Sequence, residues 1–366
     1  MIVILIFVAT TPVKPLVPSG IKRNFDGFLF FLTYAGMDSQ FFKKSLYKSA
    51  ALNIDQQISL LKGKGLLIED IQAAKQWLSH ISYFRFKQYS YSFKDYKNAD
   101  GNYIPGTSFE MVRGLYVFDR KLKMIVFSAI ENIEISLKTQ ISNTLSCTHG
   151  AHWYLNADHF ISEEERRKIS RNARFEEEIP KNFDHGKFLK DIEREQETPT
   201  EIFLQSYKKY YDPIYPPSWM LMEMITFGTV SHMFESLKPS EEKNAILENF
   251  KLTKKQFISW LHCFSFIRNK CAHHARLVYS PVIFQPSMPQ KKSRIFLAEA
   301  DQVENNTLYA VLCCLQFMLS ICNEQSTFSK ELVQLTAAFP GINYDRLGFS
   351  GHWKEEVIWQ LPSKTA

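Results

Sequence analysis

Arg268, Asn269 and His273 stand within six residues of one another, and Arg276 follows. Cleavage of a phosphodiester by its own 2′-hydroxyl needs these residue types. An imidazole that titrates near neutrality can take the hydroxyl proton or protonate the leaving oxygen. A guanidinium can hold a non-bridging phosphate oxygen bidentately and stabilise the charge that develops on it. Asn269, one turn before His273, is placed to fix the orientation of the ring. One histidine does not make a complete acid/base pair, so a second copy of the motif from another chain would help this chemistry.

The segment that must position these groups reads as a helix. Thr253 with Gln256 three residues later forms a capping-box pattern, and the helix it opens is expected to run to about Tyr279, just before Pro281. At about 100° per residue, Trp260, Phe264, Ile267, Cys271 and Val278 make one apolar stripe. Asn269, His273 and Arg276, spaced by four and three, fall on the opposite face, with Arg268 on the flank between. His274 falls on the apolar stripe and reads as a core histidine. Arg268 has a plain structural alternative, an ion pair to a carboxylate within a helical bundle. His262, Cys263, Cys271 and His273 match no common zinc spacing, so no metal and no cofactor are expected. An R-x4-H spacing alone occurs by chance in many chains.

Other segments carry their own signals. Ile54, Ile58 and Leu61 recur at helical spacing until Gly63 and Gly65, and a second run passes Ile71, Ala74, Trp77, Leu78 and Ile81 into Tyr83-Phe84-Arg85-Phe86. Turn residues at 100–106 close this first unit near 105. Thr107 with Glu110 suggests another capping box, opening a long amphipathic helix through Leu115, Phe118, Leu122, Ile125, Ala129, Ile133, Leu137 and Ile141. Residues 163–200 hold 20 charged side chains among 38, a solvated helical excursion. Pro216 to Leu237 turns apolar again, Asn306 to Cys322 is the last strong helix, and 336–366 forms a tail. No segment alternates in the manner of a strand, so the fold class is all-α.

Composition narrows the functional classes. The 366 residues are 45% hydrophobic and 22% charged, ordinary globular material, and the net charge of +6 is compatible with a polyanionic partner without demanding one. Six cysteines without a C-x-x-C pair or a regular framework point to a reducing compartment, hence a cytoplasmic location. No apolar run approaches the roughly 18 residues of a spanning helix, so no membrane partner is expected. Ile2–Ala9 is short for a signal peptide and has no preceding Lys or Arg. Met37 opens a more conventional sequence, which makes residues 1–36 a dispensable extension from an upstream start.

The run Arg268-Asn269-Lys270-Cys271-Ala272-His273-His274-Ala275-Arg276-Leu277 resembles the signature of the abortive-infection (Abi, AbiD/AbiF-like) family of bacteriophage resistance proteins. Ser82-Tyr83-Phe84-Arg85-Phe86 with Tyr89 is similar to that family's Tyr-Tyr-Arg-Leu stretch. Phe118-Asp119-Arg120-Lys121-Leu122 with Ala129-Ile130-Glu131 is similar to its first long helix. Pro217-Ser218-Trp219-Met220, Glu223 and Phe227-Gly228-Thr229 are similar to its middle block, and Leu347-Gly348-Phe349 with Trp353 and Trp359 to its end.

The resemblance implies a HEPN-like helical core over 106–335, preceded by a helical region over 40–105. It implies a metal-independent endoribonuclease of phage defence in which His273 is the acid/base, Arg268 stabilises the phosphate and Asn269 orients the ring. Arg276 and Arg120 would contact RNA, the protein would be a homodimer, and a small noncoding RNA would be a further partner. HEPN folds also serve as non-catalytic RNA-binding or interaction modules, which is the alternative. Departures are Val278-Tyr279 where the family often has Trp-Asn, Phe84 for a common Tyr, and Ser350 for a usual Pro; residues 1–36 have no counterpart.

Overall fold

The computed structural model describes residues 50–96, 101–173, 183–211, 215–289, 297 and 303–360; the expectation for residues 1–36 lies outside them. The described residues form α1 (Ile54–Gly63), α2 (Ile71–His80), α3 (Tyr83–Ser90), α4 (Phe109–His149), α5 (Glu163–Asn172), α6 (His185–Glu197) and α7 (Ile202–Tyr210). They continue with α8 (Ser218–Met224), α9 (Phe227–Ser236), α10 (Glu241–Asn249), α11 (Lys254–Ala272), α12 (Leu308–Cys322), α13 (Phe328–Ala338) and α14 (Val357–Gln360). Extended pairing among them is limited to isolated bridges such as Leu67 with Ser108, so the fold is all-α. No helix of the described residues is long and apolar enough to cross a membrane.

Two compact units divide after Tyr116. In the first, Asn53 and Gln56 cap α1 reciprocally, and Asp70 and Ser82 cap α2 and α3. Gly65, at φ +84, supplies the left-handed turn after α1. Trp77 meets Phe86, Phe109 and Tyr116 edge-on at 5.3–5.7 Å, so its indole organises the core of this unit. The predicted cap of α4 is displaced by one residue. The Ser108 hydroxyl accepts from the Met111 amide at 3.2 Å, whereas the Thr107 hydroxyl turns back to donate to the Ile104 carbonyl.

In the second unit α12 is the centre. Every residue from Leu308 to Leu319 is buried, as a helix apolar around its whole circumference must be. Trp260 of α11 sits edge-on to Phe317 at 5.7 Å, and its indole N–H donates to the Ser287 carbonyl. Within the charged stretch, α5 buries no residue and α6 buries only Phe188, Ile192 and Gln196. The segment after α13 is packed, not loose. Phe349, Trp353 and Trp359 gather around Tyr309 at 4.7–6.5 Å. Gly348, at φ +91, lies where a Cβ would come within 2.5 Å of the Thr307 hydroxyl oxygen.

Candidate functional site

The capping box at Thr253 and Gln256 opens α11 as predicted. Its end differs. The helix stops at Ala272, and His273 is its C-cap, with its amide donating to the Asn269 carbonyl at 2.9 Å. His274 takes a left-handed conformation, φ +55; its amide reaches Cys271 O and the Ala275 amide reaches Lys270 O. That pair of bonds is a Schellman motif, usually built on glycine. With histidine in the glycine place, the stop carries no ordinary sequence mark. His274 is therefore exposed and does not sit on the apolar stripe.

The chain beyond this stop is held from α4. Asp119, fully buried, accepts from the Leu277 amide at 2.9 Å and the Val278 amide at 2.7 Å through one oxygen. Its other oxygen lies 3.0 Å from the ammonium of Lys123, which also donates to the Ala275 carbonyl. A buried ion pair is tolerated when its remaining hydrogen-bonding capacity is filled, and here backbone groups of the loop fill it. Tyr279, at φ +54, completes the anchorage. Its hydroxyl bonds to both backbone groups of Asn343, and the Arg346 guanidinium lies 4.5 Å from its ring. The loop after the R-x4-H segment is thus a rigid feature, and Tyr279, a departure from the family pattern, has a structural role.

Asp119 and Lys123 were not singled out from sequence. Their signal is an i,i+4 acid–base pair lying within the apolar periodicity of Leu115, Phe118, Leu122 and Val126. Lys270 was passed over as well. Burial, and then the nearby Arg276, push its ammonium down to about 8, and it donates to the Ser280 hydroxyl. An amine that titrates this close to neutrality lies on the same helical turn as Asn269.

Arg268 is half-buried, its guanidinium 5.6 Å from the Phe127 ring and 3.5 Å from the Asn269 side-chain oxygen. It lines a groove of about 270 Å³ with Phe127, Glu131, Glu134, Lys138 and Glu223. Glu223 reaches the groove because the start of α8 is tied down: buried Ser218 bonds to Ser142 of α4 and accepts from the Trp153 indole. Three carboxylates therefore face two cations, and Lys138 is already paired with Glu134 at 2.8 Å.

Asn269 and His273 are exposed one turn apart. Five positions along the helix, about 140° of rotation, take Arg268 to His273, so one chain sends the guanidinium to the groove and the imidazole to the helix end. The half-buried Arg276 donates to the Tyr279 carbonyl at 3.4 Å, on its own loop. Arg120 is exposed on α4, adjacent to Asp119.

The face carrying Asn269 and His273 also carries Ile258 and His262, and α9 covers that part of it. A Cβ on Gly228 would lie 3.2 Å from the Ser265 hydroxyl, and His262 bonds to Glu235 at 3.0 Å. Ile258 and Phe266 are half-buried. The grouping of His262 with Cys263, Cys271 and His273 does not form. Both cysteines are buried with thiols raised by burial, His273 is exposed, and His262 turns to α9.

A family model described as Abi-like protein matches residues 76–279, a span from α2 to Tyr279 that takes in Asp119, Glu223, Arg268 and His273. No curated protein and no solved structure matches the chain.

Proposed function

The chain belongs to the Abi-like protein family, and from that premise we propose that it is a metal-independent endoribonuclease acting in phage defence by abortive infection. The observation that carries this reading is the mounting of the R-x4-H segment. An exposed imidazole stands one turn from Asn269, on a helix end whose following loop is fastened to α4 by the buried Asp119–Lys123 pair. Preorganisation of that kind is what proton transfer to a phosphodiester needs.

His273 moves the proton, Arg268 stabilises the non-bridging phosphate oxygen, and Asn269 orients the ring. Because guanidinium and imidazole diverge within one chain, the working site is composite. A two-fold axis through the exposed end of α11 brings the Arg268 of one copy toward the His273 of the other. Arg276 and Arg120 flank it as RNA contacts, and a small noncoding RNA is a further partner.

Cleavage of labelled RNA should persist in EDTA, leave a 2′,3′-cyclic phosphate or its hydrolysed 3′-phosphate, and spare DNA, which lacks the nucleophile. His273→Ala should lower the rate by about 10²–10⁴-fold and Arg268→Ala by a similar factor. Cleavage that depends on added divalent metal, or that survives both substitutions, overturns the proposal.

The acidic groove favours a second reading, a non-catalytic interaction module. Glu131, Glu134 and Glu223 around Arg268 suit a basic side chain better than a phosphate. On that reading His273→Ala leaves phage protection intact, while charge reversal at Glu131 abolishes it.

A further inference from the structure

A second cluster of reactive side chains lies along the same helix, under α9. His232 and Glu235, one turn apart on α9, and His262 on α11 bring two ring nitrogens and a carboxylate oxygen within 4.8 Å of one another. Both rings converge on one atom. Glu235 Oε2 lies 3.0 Å from His262 Nε2 and 3.9 Å from His232 Nδ1. His232 Nδ1 is buried and has no hydrogen-bond partner among the described residues.

An imidazole nitrogen shut away from water without a partner is an unfavourable arrangement for a helix pair to retain. One ion resolves it. A tetrahedral zinc ion bound at ~2.0–2.2 Å sets neighbouring ligand atoms roughly 3.3–3.6 Å apart, a separation that the 3.0 and 3.9 Å edges bracket. A small rotation of the His232 ring brings its nitrogen to ligand distance.

We propose that His232, Glu235 and His262 form a site for a divalent first-row transition metal, Zn²⁺ foremost, that clamps α9 to α11. The donor set of two imidazoles and a carboxylate is one that zinc and its neighbours accept. Burial protects two of the ligands, with Glu235 7% and His262 14% exposed. His232, 43% exposed, is the most accessible of the three side chains although its Nδ1 is buried.

The ion acts on position, not on the cleavage chemistry. His262 lies eleven residues before His273, ~16 Å along a helix, so a metal there reaches neither the imidazole nor a phosphate beside it. What it holds is the middle of the helix that presents Arg268 and Asn269. The prediction is compatible with cleavage in EDTA well below the melting temperature, because chelation removes a staple and leaves the reacting groups.

The test uses the full chain, stripped with a chelator, dialysed and titrated with Co²⁺ and Zn²⁺ in the absence of RNA. One equivalent should bind, Co²⁺ should develop the visible absorption of a tetrahedral N/O site, and Zn²⁺ should raise Tm. His232→Ala and Glu235→Gln should weaken binding by at least ~100-fold. His273→Ala and Cys263→Ser should bind as the parent does. Should Glu235→Gln fail to fold, His232→Gln at the most exposed ligand, checked by circular dichroism, carries the same expectation. The proposal is overturned by the absence of saturable binding in a folded chain. Binding that survives both His232 substitutions, or that is lost with His273, overturns it too. Because no RNA is present, failure here leaves the ribonuclease reading standing, and failure of that reading leaves this one.

Discussion

His262 and His273 are the same residue type on the same face of one helix, eleven positions apart, and they live in different worlds. His262 is 14% exposed beneath α9 and bonded to Glu235; His273 caps the helix in open solvent. Helical spacing put both on that face. Which of them is covered and which is accessible follows from where α9 lies. The two ends of α11 are also fastened differently. Its first turn is capped by its own residues Thr253 and Gln256. Its last turn runs into a loop held by an acid more than 150 residues earlier in the chain. A motif of short spacing can therefore depend on a distant partner that the motif itself never mentions.

The comparison can be broken most directly by exchanging losses between the two histidines. His273→Ala should remove cleavage by about 10²–10⁴-fold with little change in Tm. His262→Ala should lower Tm and leave the cleavage product and its pH profile unchanged. A His262→Ala protein with parental Tm and no cleavage would show that the division between the two histidines is wrong.

The fastening of the exposed end comes next in size. Asp119→Ala strands the buried Lys123 ammonium and leaves the Leu277 and Val278 amides without their acceptor, so it should cost about 3–5 kcal/mol of unfolding free energy. Urea denaturation measures this. A loss below about 1 kcal/mol would mean that the loop does not rely on α4.

The smallest effect should come from His274. A left-handed non-glycine residue is disfavoured by roughly 1–2 kcal/mol, partly offset by the backbone freedom glycine brings to the unfolded chain. His274→Gly should thus leave stability unchanged or raise it by up to about 1 kcal/mol. A loss of several kcal/mol in thermal unfolding would restore the core histidine that the apolar stripe implied.

Much was legible along the chain for physical reasons. The apolar recurrences of α1, α2, α4 and α12, the break at Gly63–Gly65 and the cap at Thr253 are local patterns. A side chain's place on a helix and a cap's hydrogen bonds depend only on neighbours within a few residues. The all-α class and the grouping of Asn269 with His273 followed from the same arithmetic. Where a local competitor existed, the pattern slipped, as at Ser108, which took the cap that Thr107 and Glu110 suggested.

Tertiary structure decided the rest, because those features depend on contacts between residues far apart in sequence. α11 ends at Ala272 through a Schellman motif without glycine, whose loop Asp119 and Tyr279 hold in place. Arg268 was assigned to the flank of its helix correctly, but only the approach of α4 and α8 surrounds it with Glu131, Glu134 and Glu223. His232 and Glu235 share a helical spacing, but His262 joins them only when α9 lies on α11, closely enough for Gly228 to meet Ser265. Periodicity determines which side chains share a face; the electric and steric surroundings of that face belong to whichever element folds over it.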